Sequence, residues 1–145
     1  MDKAVFENLN ILVIDDDMFI REVLVRMLAR MGVRKITPAA DGASAIDLVT
    51  KAPEPYDVII CDLEMPTMTG LECIRFLRML DDPIASRTPV IILTGHTSQE
   101  HLDQAVSLGI HGFLSKPVSR QGLAARIEAA VTSPPIDPKP LKLGA

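Results

Sequence analysis

Three aspartates, a threonine and a lysine stand at the same kind of place in this chain, directly after a short apolar run. Ile11-Leu12-Val13-Ile14 leads into Asp15 and Asp16, and Val58-Ile59-Ile60-Cys61 leads into Asp62. Val90-Ile91-Ile92-Leu93 leads into Thr94, and Gly112-Phe113-Leu114-Ser115 leads into Lys116. A β-branched run of this length that ends on a carboxylate predicts a buried parallel strand delivering an acid to the rim of a sheet. Two carboxylates held about 5 Å apart at an effective dielectric near 20 repel by roughly 3 kcal/mol, and a third acid adds to that. Such a cluster calls for a cation. Magnesium suits it, as a hard ion that prefers octahedral oxygen ligands, keeps several waters and leaves room for a phosphoryl oxygen. Calcium asks for more protein oxygens than this rim offers. Asp17 has a different reading, because it directly precedes a helical pattern and can accept the helix's free amides.

The elements that must position these groups alternate. Met18 to Met31 has helical period, with Ile20, Val23, Leu24, Met27, Leu28 and Met31 on one face opposite Arg21, Glu22 and Arg26, and Gly32 closes it as a left-handed cap. Further helices are predicted over Ala43 to Lys51, Leu71 to Leu80, Ser98 to Leu108 and Ser119 to Val131, with Ser98 and Ser119 opening the last two. Leu71, Ile74 and Leu77 form the expected inner stripe of the third helix. Five strand-helix units imply an α/β fold, a doubly wound, five-stranded parallel sheet with helices on both faces. The second strand, Lys35 to Ala40, contains Pro38, which cannot donate to a ladder and so belongs at an edge. That agrees with the strand order 2-1-3-4-5, flavodoxin-like, in which strands one and three flank the switch point where the three aspartates gather.

The 145 residues suggest one domain, and a hydrophobic content of 48% is ample for a single core. A formal charge of −4 and the lack of a basic run argue against a direct nucleic-acid surface. Cys61 and Cys73 are too far apart for a CxxC motif and fall in strand and helix patterns, which reads as small buried hydrophobes in a reducing cytoplasm. No apolar run approaches the ~20 residues of a membrane span, so a soluble cytoplasmic chain is expected. The stretch Ser133 to Ala145 holds four of the 11 prolines, shows no apolar period and reads as a linker or frayed tail.

Four segments together carry a resemblance. Ile11 to Asp16, Asp62-Leu63-Glu64-Met65-Pro66-Thr67-Met68-Thr69-Gly70, Leu93-Thr94-Gly95 and Phe113-Leu114-Ser115-Lys116-Pro117 closely resemble, in order and spacing, the receiver domain of two-component response regulators of the chemotaxis type. The resemblance covers Asn8 to Thr132, leaving 133–145 as the tail. It implies that Asp62 is the phosphoacceptor, taking a phosphoryl group from a sensor histidine kinase or a histidine phosphotransfer protein. It also implies Mg2+ held by Asp15, Asp16, Asp62 and the backbone carbonyl of Glu64, with Lys116 as a second countercharge and a cis Lys116-Pro117 bond. Thr94 matches the family's switch hydroxyl and Phe113 its switch aromatic, here without the hydroxyl of the tyrosine often found there. Glu64 and His96 match positions that tune the lifetime of the acyl phosphate, with a solvated acid and a loop histidine as the equal alternative, whereas His101 and His111 read as structural or solvated.

The function this implies is a signalling switch that catalyses only its own phosphotransfer and dephosphorylation. Its expected readout is the face built from the fourth helix, fifth strand and fifth helix, through which it meets a downstream effector; a homodimer is left open. The competing enzyme reading is a Mg2+-dependent phosphohydrolase using an aspartyl-phosphate intermediate, with Glu64 in the place of a general acid. A flavodoxin-like cofactor module fits worse, because Asp15-Asp16-Asp17 in the first turn repels phosphate and no glycine-rich cradle is present. Either a stand-alone receiver or one excised from a longer regulator agrees with the sequence.

Overall fold

The computed structural model describes residues 3–95 and 98–136; His96 and residues 137–145 lie outside them. Five parallel strands, β1 (Asn10–Ile14), β2 (Lys35–Ala39), β3 (Val58–Asp62), β4 (Val90–Thr94) and β5 (Gly112–Ser115), form one sheet in the order β2-β1-β3-β4-β5. The helices are α1 (Lys3–Glu7), α2 (Met18–Met31), α3 (Gly42–Lys51), α4 (Gly70–Arg78), α5 (Gln99–Ser107) and α6 (Arg120–Thr132), with a short 3-10 turn at Ala85–Arg87. The expected topology is therefore observed. Pro38 sits opposite Val13 on edge strand β2, where its missing donor breaks no second ladder.

The central strands are apolar on both faces because both faces are covered. Leu12, Ile14, Ile59, Cys61 and Ile92 point toward the layer of α3, α4 and α5, together with Cys73, Ile74 and Leu77 of α4. Ile11, Val13, Ile60, Ile91 and Leu93 point the other way, against Leu24 and Leu28 of α2 and Leu123 and Ile127 of α6. This period-2 division between two cores fixes the register, since a one-residue slip would exchange every side chain between them. Each fully buried aliphatic contributes roughly 1.5–3 kcal/mol, so the strands that carry the site are its most firmly held part.

Local signals set the element ends. Asp17 Oδ1 accepts from the Phe19 and Ile20 amides, 2.9 and 3.3 Å, and Gly32 closes α2 at φ 107°. Ser98 and Ser119 cap α5 and α6 as expected. Thr69 and Glu72 form a reciprocal capping box at the start of α4. Two features differ from the sequence reading. Helix α1 was not anticipated, and it forms at an end where Phe6 and Leu9 become buried against the α2/α6 core. The proline-rich stretch also starts with an attachment: the Ile136 amide donates to Ile110 O at 2.9 Å, and its side chain packs on the α4-side core.

Candidate functional site

All five rim residues collect at the carboxyl ends of the strands. Asp62 is the last residue of β3 and Thr94 the last of β4, while Asp15 and Asp16 follow β1 and Lys116 follows β5. Parallel pairing of β1 with β3, and of β3 with β4, brings groups almost fifty residues apart in sequence into one cluster. Asp15 and Asp62 are buried, at 0% and 3% exposure, and Asp16 is open to solvent. One carboxylate oxygen from each of the three lies within 4.8 Å of the others.

Lys116 closes the cluster from the far side. Its Nζ stands 3.2 Å from Asp15 Oδ2 and 3.3 Å from Asp62 Oδ1, and its peptide bond to Pro117 is cis. The Lys116 amide also donates to Thr94 O at 2.9 Å, which ties the lysine to the end of β4. Backbone donors orient the carboxylates. Asp15 Oδ1 accepts from the Asp17 amide at 2.9 Å, and Asp62 Oδ1 accepts from the Glu64 amide at a long 3.4 Å. Arg21, which the sequence did not single out, donates from Nη1 to Asp15 O at 2.7 Å and so fixes the turn after β1. Its signal is only a basic residue in the first turns of α2, shared by many helices.

The charge balance is incomplete. Burial and the neighbouring Asp15 charge push the Asp62 carboxyl up to about 6, against the opposing pull of Lys116. Burial lowers the Lys116 pKa, but Asp62 and Asp15 outweigh it, so the ammonium titrates above its ordinary value. Asp15 Oδ2 is buried and makes no hydrogen bond of good geometry, having only the charge contact with Lys116 to set against its desolvation. Three clustered hard oxygen donors, an under-satisfied buried oxygen and one lysine for two buried acids fit a small divalent cation.

Gly70 explains how α4 approaches so closely. A Cβ there would run into the Asp62 carbonyl oxygen and Leu63 Cα, so a side chain would push the helix off the end of β3. The loop between them includes Thr67 at φ 67°, and it presents Glu64 to solvent. Thr94 and Phe113 are partly buried, and the Phe113 carbonyl accepts from Arg126 Nε at 3.1 Å. His101 is exposed, with its Nδ1 3.2 Å from Ser98 Oγ, whereas His111 is half-buried at the opposite end of the sheet.

This arrangement can hold a cation and present one carboxylate oxygen to an electrophile beside an ammonium group. Comparison with known proteins gives the family. The family described as response regulator receiver domain matches residues 11–128, and the chain belongs to it. A solved structure of Vibrio cholerae chemotaxis protein CheY4 is 33% identical, covering 84% of this chain and 98% of that one at a TM-score of 0.76. The receiver domain of the Arabidopsis thaliana histidine kinase CKI1, solved with Mg2+ and BeF3−, is 29% identical over 88% of this chain and 95% of that one, also at 0.76. A probable chemotaxis protein CheY of Rhizobium etli is 29% identical over 87% of this chain and 95% of its own length. Against a probable histidine kinase 2 of Oryza sativa, also 29% identical, the chain covers only 13% of the relative's length. Among the described residues, no helix is long and apolar enough to cross a membrane.

Proposed function

We propose that this receiver accepts a phosphoryl group on Asp62 from a phosphohistidine of a partner kinase or phosphotransfer protein, and that the resulting charge switches its surface. The observation that carries this reading is the placement of Asp62 at the rim, within reach of Lys116 and grouped with Asp15 and Asp16. Residues 8–132 are taken as the receiver and 133–145 as its tail. Asp15, Asp16, Asp62 and the Glu64 carbonyl are the residues to hold Mg2+, which when bound supplies countercharge to phosphoryl oxygens.

An Asp62 carboxylate oxygen attacks phosphorus in line with the departing imidazole nitrogen, so the new P–O bond forms as the P–N bond breaks. The transition state is loose and its charge lies on the equatorial oxygens, so positioning and countercharge carry the catalysis. Lys116 follows that charge, exchanging its contact with Asp62 for a phosphoryl oxygen. Asp15 keeps the ammonium in place, and Arg21 keeps Asp15 in place. The Asp62 carboxyl must be ionised to attack; burial and Asp15 oppose ionisation, Lys116 favours it, and a cation held by the three acids would favour it further.

Thr94 then donates its hydroxyl to the phosphoryl group and Phe113 repacks, altering the face of α5, β5 and α6 for an effector. Converting a 1:99 population to 99:1 takes about 5.5 kcal/mol, whereas a hydrogen bond to a charged group contributes about 1.5–3 kcal/mol. The response is therefore graded, and partner binding completes it. The test is incubation with acetyl phosphate and Mg2+, followed by intact-mass and peptide analysis. One phosphoryl adduct on Asp62, absent in Asp62→Asn, is the expected result; an adduct that persists in Asp62→Asn overturns it.

A further inference from the structure

The 63–69 loop leaves the end of β3 with Glu64 and returns at Gly70, whose amide donates to Leu63 O at 2.9 Å. Between those points its polar anchorage to the rim is weak. Glu64 is exposed, and its amide meets Asp62 Oδ1 only at a long 3.4 Å. Apolar packing holds the loop instead, with Met65 buried and Met68 half-buried against the α4-side core. Met68 lies along Gly42, the first residue of α3. A Cβ on Gly42 would stand 2.6 Å from Met68 Sδ, 3.1 Å from its Cγ and 3.3 Å from its Cβ, so the whole side chain, not only its mobile end, fills that space. Gly42 does not have the positive φ of Gly32 and Gly109, so what glycine supplies here is room for Met68.

The other side of Gly42 leads back to the rim. The Asp15 amide donates to Ala39 O at 3.2 Å, which joins the end of β2 to the turn of Asp15 and Asp16, and Asp41 then caps α3 by accepting from the Ser44 amide at 2.7 Å. Met68 on Gly42 is thus where the loop of Glu64 touches the element tied to the β1 acids. We propose that Met68 is a positioning residue for the Mg2+ site: seated on Gly42, it keeps the Glu64 carbonyl in register with Asp15 and Asp16, and unseating it weakens Mg2+ binding. This rests on the assignment of the Glu64 carbonyl as a ligand. A carbonyl has no net charge to draw an ion from a distance, and Mg2+ demands near-octahedral oxygens at about 2.0–2.1 Å. The contribution of that donor therefore depends on its placement more steeply than that of a carboxylate.

The test is an NMR titration of the unphosphorylated full chain with Mg2+, beside denaturant unfolding, for Met68→Ala, Met68→Leu, Gly42→Ala and the Gly42→Ala/Met68→Ala pair. Met68→Ala and Gly42→Ala should each raise the Kd for Mg2+ about tenfold, the lower end of what losing the support behind a metal ligand costs. Met68→Leu, close to methionine in volume, should keep the parent's affinity. Truncating Met68 and crowding it off Gly42 break the same contact, so the pair should lose about tenfold as well, and a loss of about 100-fold, as independent sites give, overturns the proposal. The backbone at position 42 accepts alanine, so Gly42→Ala gives a folded protein to titrate whatever Met68→Ala does to stability. A Kd unchanged in Gly42→Ala, with only the unfolding midpoint moved, also overturns the proposal while leaving the metal site as assigned. A parent chain that binds no Mg2+, or whose Glu64 carbonyl resonance stays put as Mg2+ binds, overturns the ligand assignment and the proposal with it.

Discussion

The two ends of the sheet each hold a half-buried cation, and they treat it in opposite ways. At the amino ends of β4 and β5, Arg78 donates to four carbonyl oxygens, of Leu108, Ser86, Thr88 and Gly109, at 2.9–3.1 Å. Among the described residues no carboxylate is involved, and the guanidinium pins α4 to the 3-10 turn and to the turn before β5. At the carboxyl ends, Lys116 is divided between two buried acids, Asp15 Oδ2 is under-satisfied, and Asp62 is pushed up to about 6. A satisfied cation makes a fixed joint, and an unsatisfied cluster makes a place where a ligand changes the balance. The rim therefore trades stability for chemistry, while the opposite end holds the helix that the rim depends on.

The largest effect is expected from breaking the satisfied end. Arg78→Ala leaves carbonyl groups without their donor and should lose roughly 2–4 kcal/mol of stability in denaturant unfolding, while a folded fraction keeps its ability to be phosphorylated. At the rim, Thr94→Ala should leave modification of Asp62 intact but reduce the phosphorylation-dependent population ratio by about 10- to 100-fold in NMR spectra, the equivalent of one hydrogen bond of about 1.5–3 kcal/mol to a charged group.

Neutralising the frustrated acid should have a smaller effect of opposite sign. The folded-state value of Asp62 lies above its ordinary 3.8, so its ionisation opposes folding. The penalty is absent below 3.8, grows as pH rises toward about 6 and is complete above it. Asp62→Asn should therefore gain about 1–3 kcal/mol relative to the parent as pH is raised through that window without Mg2+. A difference that stays flat with pH would place the acid in an ordinary, balanced environment.

Much of this was legible in the chain because the relevant signals are local. The strand runs, the helical periods, Pro38 and the caps at Asp17, Gly32, Ser98 and Ser119 each speak for their own neighbourhood, and together they define the topology. The rim followed from the ends of the runs. The Thr69-x-x-Glu72 capping box is an equally local signal. Arg78 could not be read, since it looks like any basic residue in a last helical turn and its acceptors lie 8 to 31 residues away. The sharing of Lys116 between Asp15 and Asp62 likewise depends on three elements meeting. Helix α1 has five residues, too few to show a period, and tertiary burial of Phe6 supports it.

The most direct test of the uneven charge balance is a carbon-13 NMR titration of the Asp62 side-chain carboxyl, with and without Mg2+. A midpoint near 6 in the free protein, moving down when Mg2+ is added, is the expected result. A midpoint at the ordinary 3.8 that Mg2+ leaves in place would show the three acids and the lysine already balanced, and would contradict the account.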